Sequence, residues 1–346
     1  MIRRAERNKK AGVSYAVTND GLELPVVDVT HPAFATELGD DKQRLLTAQF
    51  LAEQRRFARL PKLVQSTLMR FFTRGSRIAK GLRRSEGTFL DAMTTYLFKL
   101  GPQNLGSYAV PVDRRILMSL PAISVRLRLS DMARLLADEL APRLSGDAQQ
   151  PLHFLNIAGG PAVDSLNALI VLRREQPELL AQRRCVIRVL DGDANGPAFG
   201  ARALAALQEP GGALAGLELD FEHVPYDWAD VSGLQPALTA ARSAGAVVAV
   251  SSEGGLFEYG SDDAIVANLR ALSDGAQTAL FVVGSVTRND ELIQTLKLTS
   301  RAATQPRGLA TFTALIERSG WQVTRSIARP LSDQVVLAPP KPSSSL

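Results

Sequence analysis

The sequence predicts an α/β protein in which a seven-stranded, mostly parallel sheet follows a largely helical N-terminal region. Two observations support this prediction. From about residue 151 onward, strand-like runs alternate with helical patterns, which is typical of a parallel sheet covered by helices on both faces. Near the C-terminal end, two strand-like runs are separated by only a short turn, so the sheet should end in an antiparallel hairpin.

The first part of the chain is predicted to contain an arm and a set of helices. Residues 1–30 read as a flexible N-terminal arm, because the segment begins with polar residues and carries the turn signal NDG. Between residues 31 and 145, apolar residues recur every three or four positions, which predicts helices that form a lid or substrate-binding region. The segment SGDAQQP, residues 145–151, is the best candidate for a boundary.

Residues 151–339 supply the strands of the predicted sheet. The candidate strands are HFLNIA, VIRVLD, LELDFEHV, AVVAVSS, ALFVVGS, WQVTRSIA and SDQVVLAP. Helical runs separate most of the first five, so we expect these five to be parallel to one another. Residues 340–346 are rich in Pro and Ser and are predicted to be a disordered tail.

Composition makes several classes of protein improbable. The single cysteine, Cys185, cannot form an internal disulfide, and three separated histidines give no pattern for a structural metal. No apolar run approaches the roughly 20 residues that a membrane-spanning helix needs. The basic N-terminus has no apolar segment behind it, unlike a secretory signal. We therefore expect a cytoplasmic enzyme or binding protein without a metal.

Positive charge is concentrated between Glu53 and Glu86, where ten basic residues occur without an acidic one. Such a stretch can contact RNA, an anionic membrane surface or a phosphorylated small molecule, or it can be a solvated helix face. Apolar residues among the charges indicate that one face is buried. We therefore expect its arginines to approach the entrance of a binding site and to favour an anionic small molecule over nucleic acid.

The stretch FLNIAGGPAVDSL, residues 154–166, predicts a strand, a turn and a helix. Ala158, Gly159 and Gly160 carry almost no side chain, and Pro161 suits the first position of a helix. A turn of this kind lets a ligand approach backbone N–H groups at the positive end of a helix, where nucleotides are held. The alternative is a plain turn whose small residues only allow close packing.

These features resemble the class I S-adenosylmethionine-dependent methyltransferases, a Rossmann-like family, in its small-molecule type. The family's first motif, an acidic residue followed by Gly-x-Gly-x-Gly, lies over Asn156, Ala158, Gly160 and Ala162, so one of three glycines is kept. The resemblance implies that residues 151–339 are a methyltransferase domain. It also implies that Asn156, Ala158, Gly159 and Gly160 bind S-adenosyl-L-methionine (SAM).

The same resemblance implies further cofactor positions at the ends of the next strands. Asp191, followed by Gly192, ends the second strand, where a carboxylate in the family binds both ribose hydroxyls. A second acid in the same DGD turn is a rival for this role. Asp227 and Trp228 follow the third strand at the adenine position, and Ser252 ends the fourth strand.

The resemblance implies an enzyme that transfers a methyl group, by in-line displacement, from SAM to O or N of a small organic acceptor. A hydroxyl acceptor would need a base, for which Glu253, Tyr259 and His223 are candidates, although each can instead be a packing or capping residue. The alternatives are an RNA methyltransferase that uses the basic stretch and a non-catalytic cofactor-binding protein. A dinucleotide dehydrogenase is disfavoured, because the turn lacks G-x-G-x-x-G. The helical region can also supply a homodimer contact.

Overall fold

A computed structural model describes residues 9–61, 63–65, 67, 73–85, 87–275, 280–298 and 302–339. The predicted tail, 340–346, lies outside the described residues. So do Lys62 and Arg70 of the basic stretch, and the first eight residues of the predicted arm.

Nine strands are found among these residues. They are β1 (Tyr15–Val17), β2 (Glu23–Pro25), β3 (Leu152–Ile157), β4 (Cys185–Asp191), β5 (Leu219–Pro225), β6 (Val247–Ser252), β7 (Leu280–Thr287), β8 (Gln322–Ala328) and β9 (Ser332–Ala338). Seven of them form one sheet in the order β5-β4-β3-β6-β7-β9-β8. Strands β3 to β7 are parallel, and β9 pairs antiparallel with both β7 and β8. The predicted seven-stranded sheet with its antiparallel hairpin is confirmed.

The helices in the described part of the chain lie before the sheet and between its strands. They are α1 (Asp40–Ala58), α2 (Arg77–Arg84), α3 (Ala92–Leu100), α4 (Pro111–Leu117), α5 (Leu120–Leu144), α6 (Val163–Glu175), α7 (Asn195–Gln208), α8 (Gln235–Ser243), α9 (Leu256–Tyr259), α10 (Asp262–Gly275), α11 (Glu291–Lys297) and α12 (Gly308–Glu317). Side chains cap several of them, as Asp91 does for α3 by accepting from Thr94 N–H at 2.8 Å.

The sheet is covered on both faces, and every residue of β3 is buried. Because successive side chains of a strand point to opposite faces, Phe154 joins one apolar cluster and Leu155 joins the other. The first cluster includes residues of α5 and α6, which lie side by side. The second includes Trp321, whose indole N–H donates to the carbonyl of Leu269 at 2.9 Å.

Apolar residues of the segment 9–30, among them Ala16, Leu22 and Leu24, belong to the first cluster, so this part of the predicted arm packs against the rest of the chain. Strands β1 and β2 form an antiparallel hairpin, and Leu24 and Val27 are buried. Asn167 of α6 donates to the carbonyl of Val27 at 3.0 Å and accepts from Val29 N–H at 2.7 Å. The apolar residues of this short segment are therefore covered by helices that lie far away in the sequence.

The helical region before residue 145 shares its core with the sheet. Helix α5 packs on the same face as α6 and contributes Leu129, Leu136 and Leu140 to the first cluster. The boundary at residues 145–151 therefore separates two parts of the chain but not two cores. Among the described residues, no helix is long and apolar enough to cross a membrane.

Candidate functional site

The turn after β3 has a backbone conformation that is unusual for its sequence. Ala158, Gly160 and Ala162 have φ angles of 55°, 58° and 51°, all in the left-handed region. An L-residue other than glycine is disfavoured there by about 1–2 kcal/mol, so the surrounding structure must hold the two alanines in place. Helix α6 begins at Val163 directly after the turn, and the predicted succession of strand, turn and helix is confirmed.

Asp191, at the end of β4, lies beside this turn. Its Oδ2 accepts from Gly160 N–H at 3.0 Å, and its Oδ1 accepts from Asp193 N–H at 2.9 Å. Burial raises the pKa of Asp191, although part of the side chain remains accessible. The rival acid, Asp193, uses Oδ1 to accept from the backbone and side-chain amides of Asn195. The geometry therefore favours Asp191 over Asp193 as the acid that faces the turn.

Asn156 points under the turn. It is fully buried, and its amide nitrogen donates to Asp164 at 2.8 Å, Ser251 at 2.9 Å and Ser165 at 3.1 Å. Its Oδ1 has no hydrogen-bond partner in the described part of the chain. A Cβ on Gly159 would lie 1.9 Å from this oxygen, so only glycine fits at that position. Asn156 therefore supports the turn from below.

A buried cluster of charges lies at the end of β6, where sequence analysis placed a candidate base. We call it the ion cluster and define it by Lys99, Arg128, Glu253 and Glu258. Glu253 accepts from Lys99 Nζ through Oε2 and from Arg128 Nε, at 3.0 Å, through Oε1. Arg128 Nη1 then donates to Glu258 Oε1 at 2.9 Å. The cluster joins α3 and α5 to the segment that follows β6.

The surroundings of Glu253 are unsuitable for a general base. Its side chain has no exposed surface, and both oxygens are ion-paired. Burial alone would raise the pKa of Glu253, but Lys99 and Arg128 outweigh it and hold the pKa below its usual value. A base needs an oxygen within reach of its substrate and a pKa near the working pH. We therefore expect Glu253 to hold the ion cluster together rather than to act as the base.

The remaining predicted residues lie at the same edge of the sheet. His223 Nε2 is 2.9 Å from the carbonyl oxygen of Asp191. Ser252 Oγ accepts from the N–H of Leu256, the first residue of α9, at 2.8 Å. Gly192 follows Asp191, and Asp227 accepts from Ala229 N–H at 2.9 Å.

Aromatic rings connect the end of β5 with α9. The ring of Phe89 meets those of Trp228 and Tyr259 edge-on, each at a centroid distance of 5.2 Å. Burial, with a contribution from Glu258, raises the pKa of Tyr259 to about 12. Trp228 and Tyr259 are site residues predicted from the sequence, and Phe89 brings them together.

The crevice between the turns after β3 and β6 is the point at which the strand order reverses, and open α/β sheets bind ligands at such points. Here the two turns touch, because a Cβ on Gly255 would lie 2.9 Å from the carbonyl oxygens of Ala158 and Ile157. From another side, a Cβ on Gly160 would lie 2.7 Å from the Cβ of Ala92. In this conformation the backbone leaves no space for a ligand chain between Ala158 and Gly255.

Comparison with known proteins finds similarity only among solved structures. No family model matches the chain, and a search of curated proteins finds no match. A possible exported protein from Bordetella parapertussis is 16% identical, with a TM-score of 0.57 over 88% of this chain and 100% of that chain. At this identity the likeness concerns the fold alone.

Methyltransferases are found at lower TM-scores. Human N-acetylserotonin methyltransferase, solved with SAM, is 12% identical with a TM-score of 0.41, over 87% of this chain and 68% of that chain. An O-methyltransferase family 2 protein from Planctomyces limnophilus, solved with apigenin, is 12% identical with a TM-score of 0.39. The match covers 90% of this chain and 98% of that chain.

The strand order described above, with an antiparallel strand inserted between β7 and β8, decides the architecture. It is the class I methyltransferase fold. The turn after β3 and Asp191 lie next to each other at the carboxyl edge of this sheet. The methyltransferase fold is thus kept, while two glycines of its first motif are alanines and its acidic position is a buried amide.

Proposed function

We propose that the chain is a SAM-dependent methyltransferase that modifies a small organic molecule on O or N. The observation that supports this most directly is Asp191, a carboxylate at the end of β4 that accepts from Gly160 N–H beside the turn. Its two oxygens can accept from both hydroxyls of a ribose. When bound, SAM supplies an activated methyl group.

The proposed binding residues surround this carboxylate. Ala158, Gly159 and Gly160 form the turn against which the cofactor would lie, and Gly192 directly follows Asp191. Asp227 and Trp228 are proposed to contact adenine, since they lie in the turn just after the end of β5 at Pro225. We propose that Ser252 and Asn156 contribute to cofactor binding indirectly, because their polar groups hold α9 and the turn in position.

For the transfer itself, the chain's own residues would mainly align the acceptor and exclude water. His223 and Tyr259 remain candidates for moving a proton. Glu253 would instead hold α3 and α5 against the segment after β6 through the ion cluster. In this proposal the contact between Ala158 and Gly255 must open before the methionine part of SAM can enter.

A non-catalytic protein with this fold is the second candidate. The contact between Gly255 and Ala158 favours it, and so does the ion-paired carboxylate of Glu253. An RNA methyltransferase is less well supported, because Arg55 and Arg77 of the basic stretch pair with acidic residues of this same chain. A cytoplasmic location and a homodimer remain predictions.

Replacing Asp191 by alanine should weaken binding of S-adenosylhomocysteine by about 1–3 kcal/mol, because two ribose hydroxyls would lose their partner. Titration calorimetry with wild-type and variant protein measures the difference. Asp193→Ala is the matched control, since Asp193 lies in the same turn but hydrogen-bonds Asn195, and it should change the affinity by less than about twofold, under 0.5 kcal/mol.

Two results would contradict the proposal. Wild-type protein that binds NAD(H) but not S-adenosylhomocysteine would rule out the assigned cofactor. Equal losses of affinity in Asp191→Ala and Asp193→Ala would show that Asp191 has no specific part in binding the cofactor. Binding of S-adenosylhomocysteine without turnover of hydroxyl or amine acceptors would favour the non-catalytic protein.

A further inference from the structure

The segment between α2 and α3 crosses the mouth of the crevice. We call residues 87–91 the strap, and Phe89 lies at its centre. The ring of Phe89 meets that of Trp228, which follows β5, and that of Tyr259, which ends α9 after β6. In the sheet, β5 and β6 lie on opposite sides of the neighbouring strands β4 and β3. The ring of Phe89 therefore spans the carboxyl ends of β3 and β4.

Both ends of the strap contact the edge of the crevice. Directly after the strap, the Cβ of Ala92 would lie 2.7 Å from a Cβ on Gly160 and equally close to a Cβ on Gly196 of α7. Near the other end, the carbonyl of Thr88 accepts from Ala303 N–H, in the segment between α11 and α12, at 3.3 Å. The strap thus lies against the turn after β3 and reaches across to the far side of the crevice.

Phe89 itself is only partly packed. Its side chain is 53% exposed, although it is large and apolar, and it lies in neither a helix nor a strand. Burial stabilises an apolar side chain roughly in proportion to the area removed from water, so Phe89 gains only part of the stabilisation that a core residue gains. Another aromatic ring can therefore replace it between Trp228 and Tyr259 at a small cost.

The two rings that enclose Phe89 stand on well-held backbone. The carbonyl of Trp228 accepts from Asn268 Nδ2 of α10 at 2.8 Å. On the other side, Tyr259 N–H donates to the carbonyl of Gly255 at 3.0 Å. We therefore expect the space between the rings to persist when Phe89 leaves it. It has the width of one aromatic ring, because the centroid of Phe89 is 5.2 Å from that of each neighbour.

We propose that Phe89 is an autoinhibitory latch, which fills a subsite for a flat aromatic ring between Trp228 and Tyr259 and must leave before a ligand's ring can enter. Edge-to-face contacts with two aromatic walls are available to any ring of similar size. The adenine of SAM and the ring of an aromatic acceptor share this chemistry. The assignment to either of them rests on the proposed function.

Phe89→Ala should bind S-adenosylhomocysteine about fivefold more tightly than wild-type protein, or better, because the subsite is then free without displacement of the latch. Titration calorimetry measures the affinities, and circular dichroism verifies folding. Phe89→Tyr is the matched control that keeps a ring in place. Met118→Ala removes another exposed apolar side chain, outside the strap. Both controls should stay within about twofold of wild type.

Hydrogen exchange of the strap distinguishes a latch from a fixed wall of the site. In wild-type protein, the ligand that gains affinity in Phe89→Ala should speed the exchange of the amides of residues 87–91, because Phe89 is released. A wall that closes on the ligand would instead slow their exchange. Slower exchange, or weaker binding of S-adenosylhomocysteine to Phe89→Ala, would overturn the latch.

A second probe, p-cresol, distinguishes the two sources of the ring, since its ring matches that of Phe89. A gain for both probes in Phe89→Ala, by ligand-observed NMR for p-cresol, assigns the subsite to adenine. A gain for p-cresol alone assigns it to the acceptor. If neither protein binds S-adenosylhomocysteine, the proposed function fails, and p-cresol still tests the latch. Equal affinities of wild type and Phe89→Ala for both probes would overturn the latch.

Discussion

Glu253→Gln is expected to lower the free energy of unfolding by about 3–5 kcal/mol. The substitution removes one charge from the ion cluster and leaves Lys99 and Arg128 with a single uncompensated buried charge. Breaking a buried pair costs this much because the remaining ion stays out of water without its partner. Urea unfolding of wild-type and variant protein measures the loss.

Glu175→Gln is the matched control, because Glu175 forms a bidentate ion pair with Arg134 on the surface. We expect a loss below about 1 kcal/mol there, since exposed pairs contribute little. The double variant Lys99→Met, Glu253→Gln should lose less free energy of unfolding than the sum of the losses in the two single variants. Similar losses for Glu253→Gln and Glu175→Gln would show that the ion cluster is not needed for stability.

The contribution of Glu253 should also depend on pH. Its pKa is lowered in the folded protein by Lys99 and Arg128, despite burial. A depressed folded-state pKa gives stability that is fully present above the unfolded pKa, about 4.3 for glutamate, and is lost as the pH falls through the folded-state pKa. The stability difference between wild type and Glu253→Gln should thus be constant at neutral pH and shrink only in acid.

Gly255→Ala is expected to have opposite effects on stability and on cofactor affinity. The new methyl group would lie 2.9 Å from the carbonyl oxygens of Ala158 and Ile157 and push the two turns apart. Overpacking of this kind should lower the free energy of unfolding by about 1–3 kcal/mol. Because the closed crevice is destabilised, the open state that can bind the cofactor becomes more populated. Binding of S-adenosylhomocysteine should therefore become several-fold tighter.

Gly212→Ala separates the two effects. Its methyl group would meet the carbonyl oxygen of Leu207 at 2.3 Å, in the loop between α7 and β5. We expect lower stability with unchanged affinity for S-adenosylhomocysteine. If Gly255→Ala also leaves the affinity unchanged or weakens it, the crevice does not have to open at this contact. Denaturant unfolding and calorimetry on both variants give the comparison.

Most of the sheet could be predicted from the sequence because its strands are buried on both faces. Such strands read as continuous apolar runs, and HFLNIA and AVVAVSS are examples. Strands β1 and β2 have three residues each, too few for a sequence pattern to specify them. Their stability depends on α6 and α7, and no local pattern reports contacts over such sequence distances.

The candidate site was predicted in part. Strand order placed Asp191 and Glu253 at one edge of the sheet, since parallel strands end together. The ion-pair partners of Glu253 could not be predicted from the sequence, because Lys99 and Arg128 are 154 and 125 residues away from it. Both lie in helical segments, where a charge normally indicates a solvent-facing position. Lys99 within the apolar run YLFKL was the one available signal that a charge is buried.

The β1–β2 hairpin has a consequence for the synthesis of this chain. Val27 and Val29, just after the hairpin, emerge from the ribosome 140 and 138 residues before Asn167, their hydrogen-bond partner in α6. At about 5–20 residues per second, we expect these apolar residues to wait roughly 7–28 s for the cover that α6 supplies, although Tyr96, a nearer partner of Val27, emerges earlier. Ribosome-bound chains that end near residue 120 should then be cleaved in this segment by a protease, whereas chains that extend past residue 240 should resist. Equal resistance at both lengths would show that an earlier partner covers the hairpin.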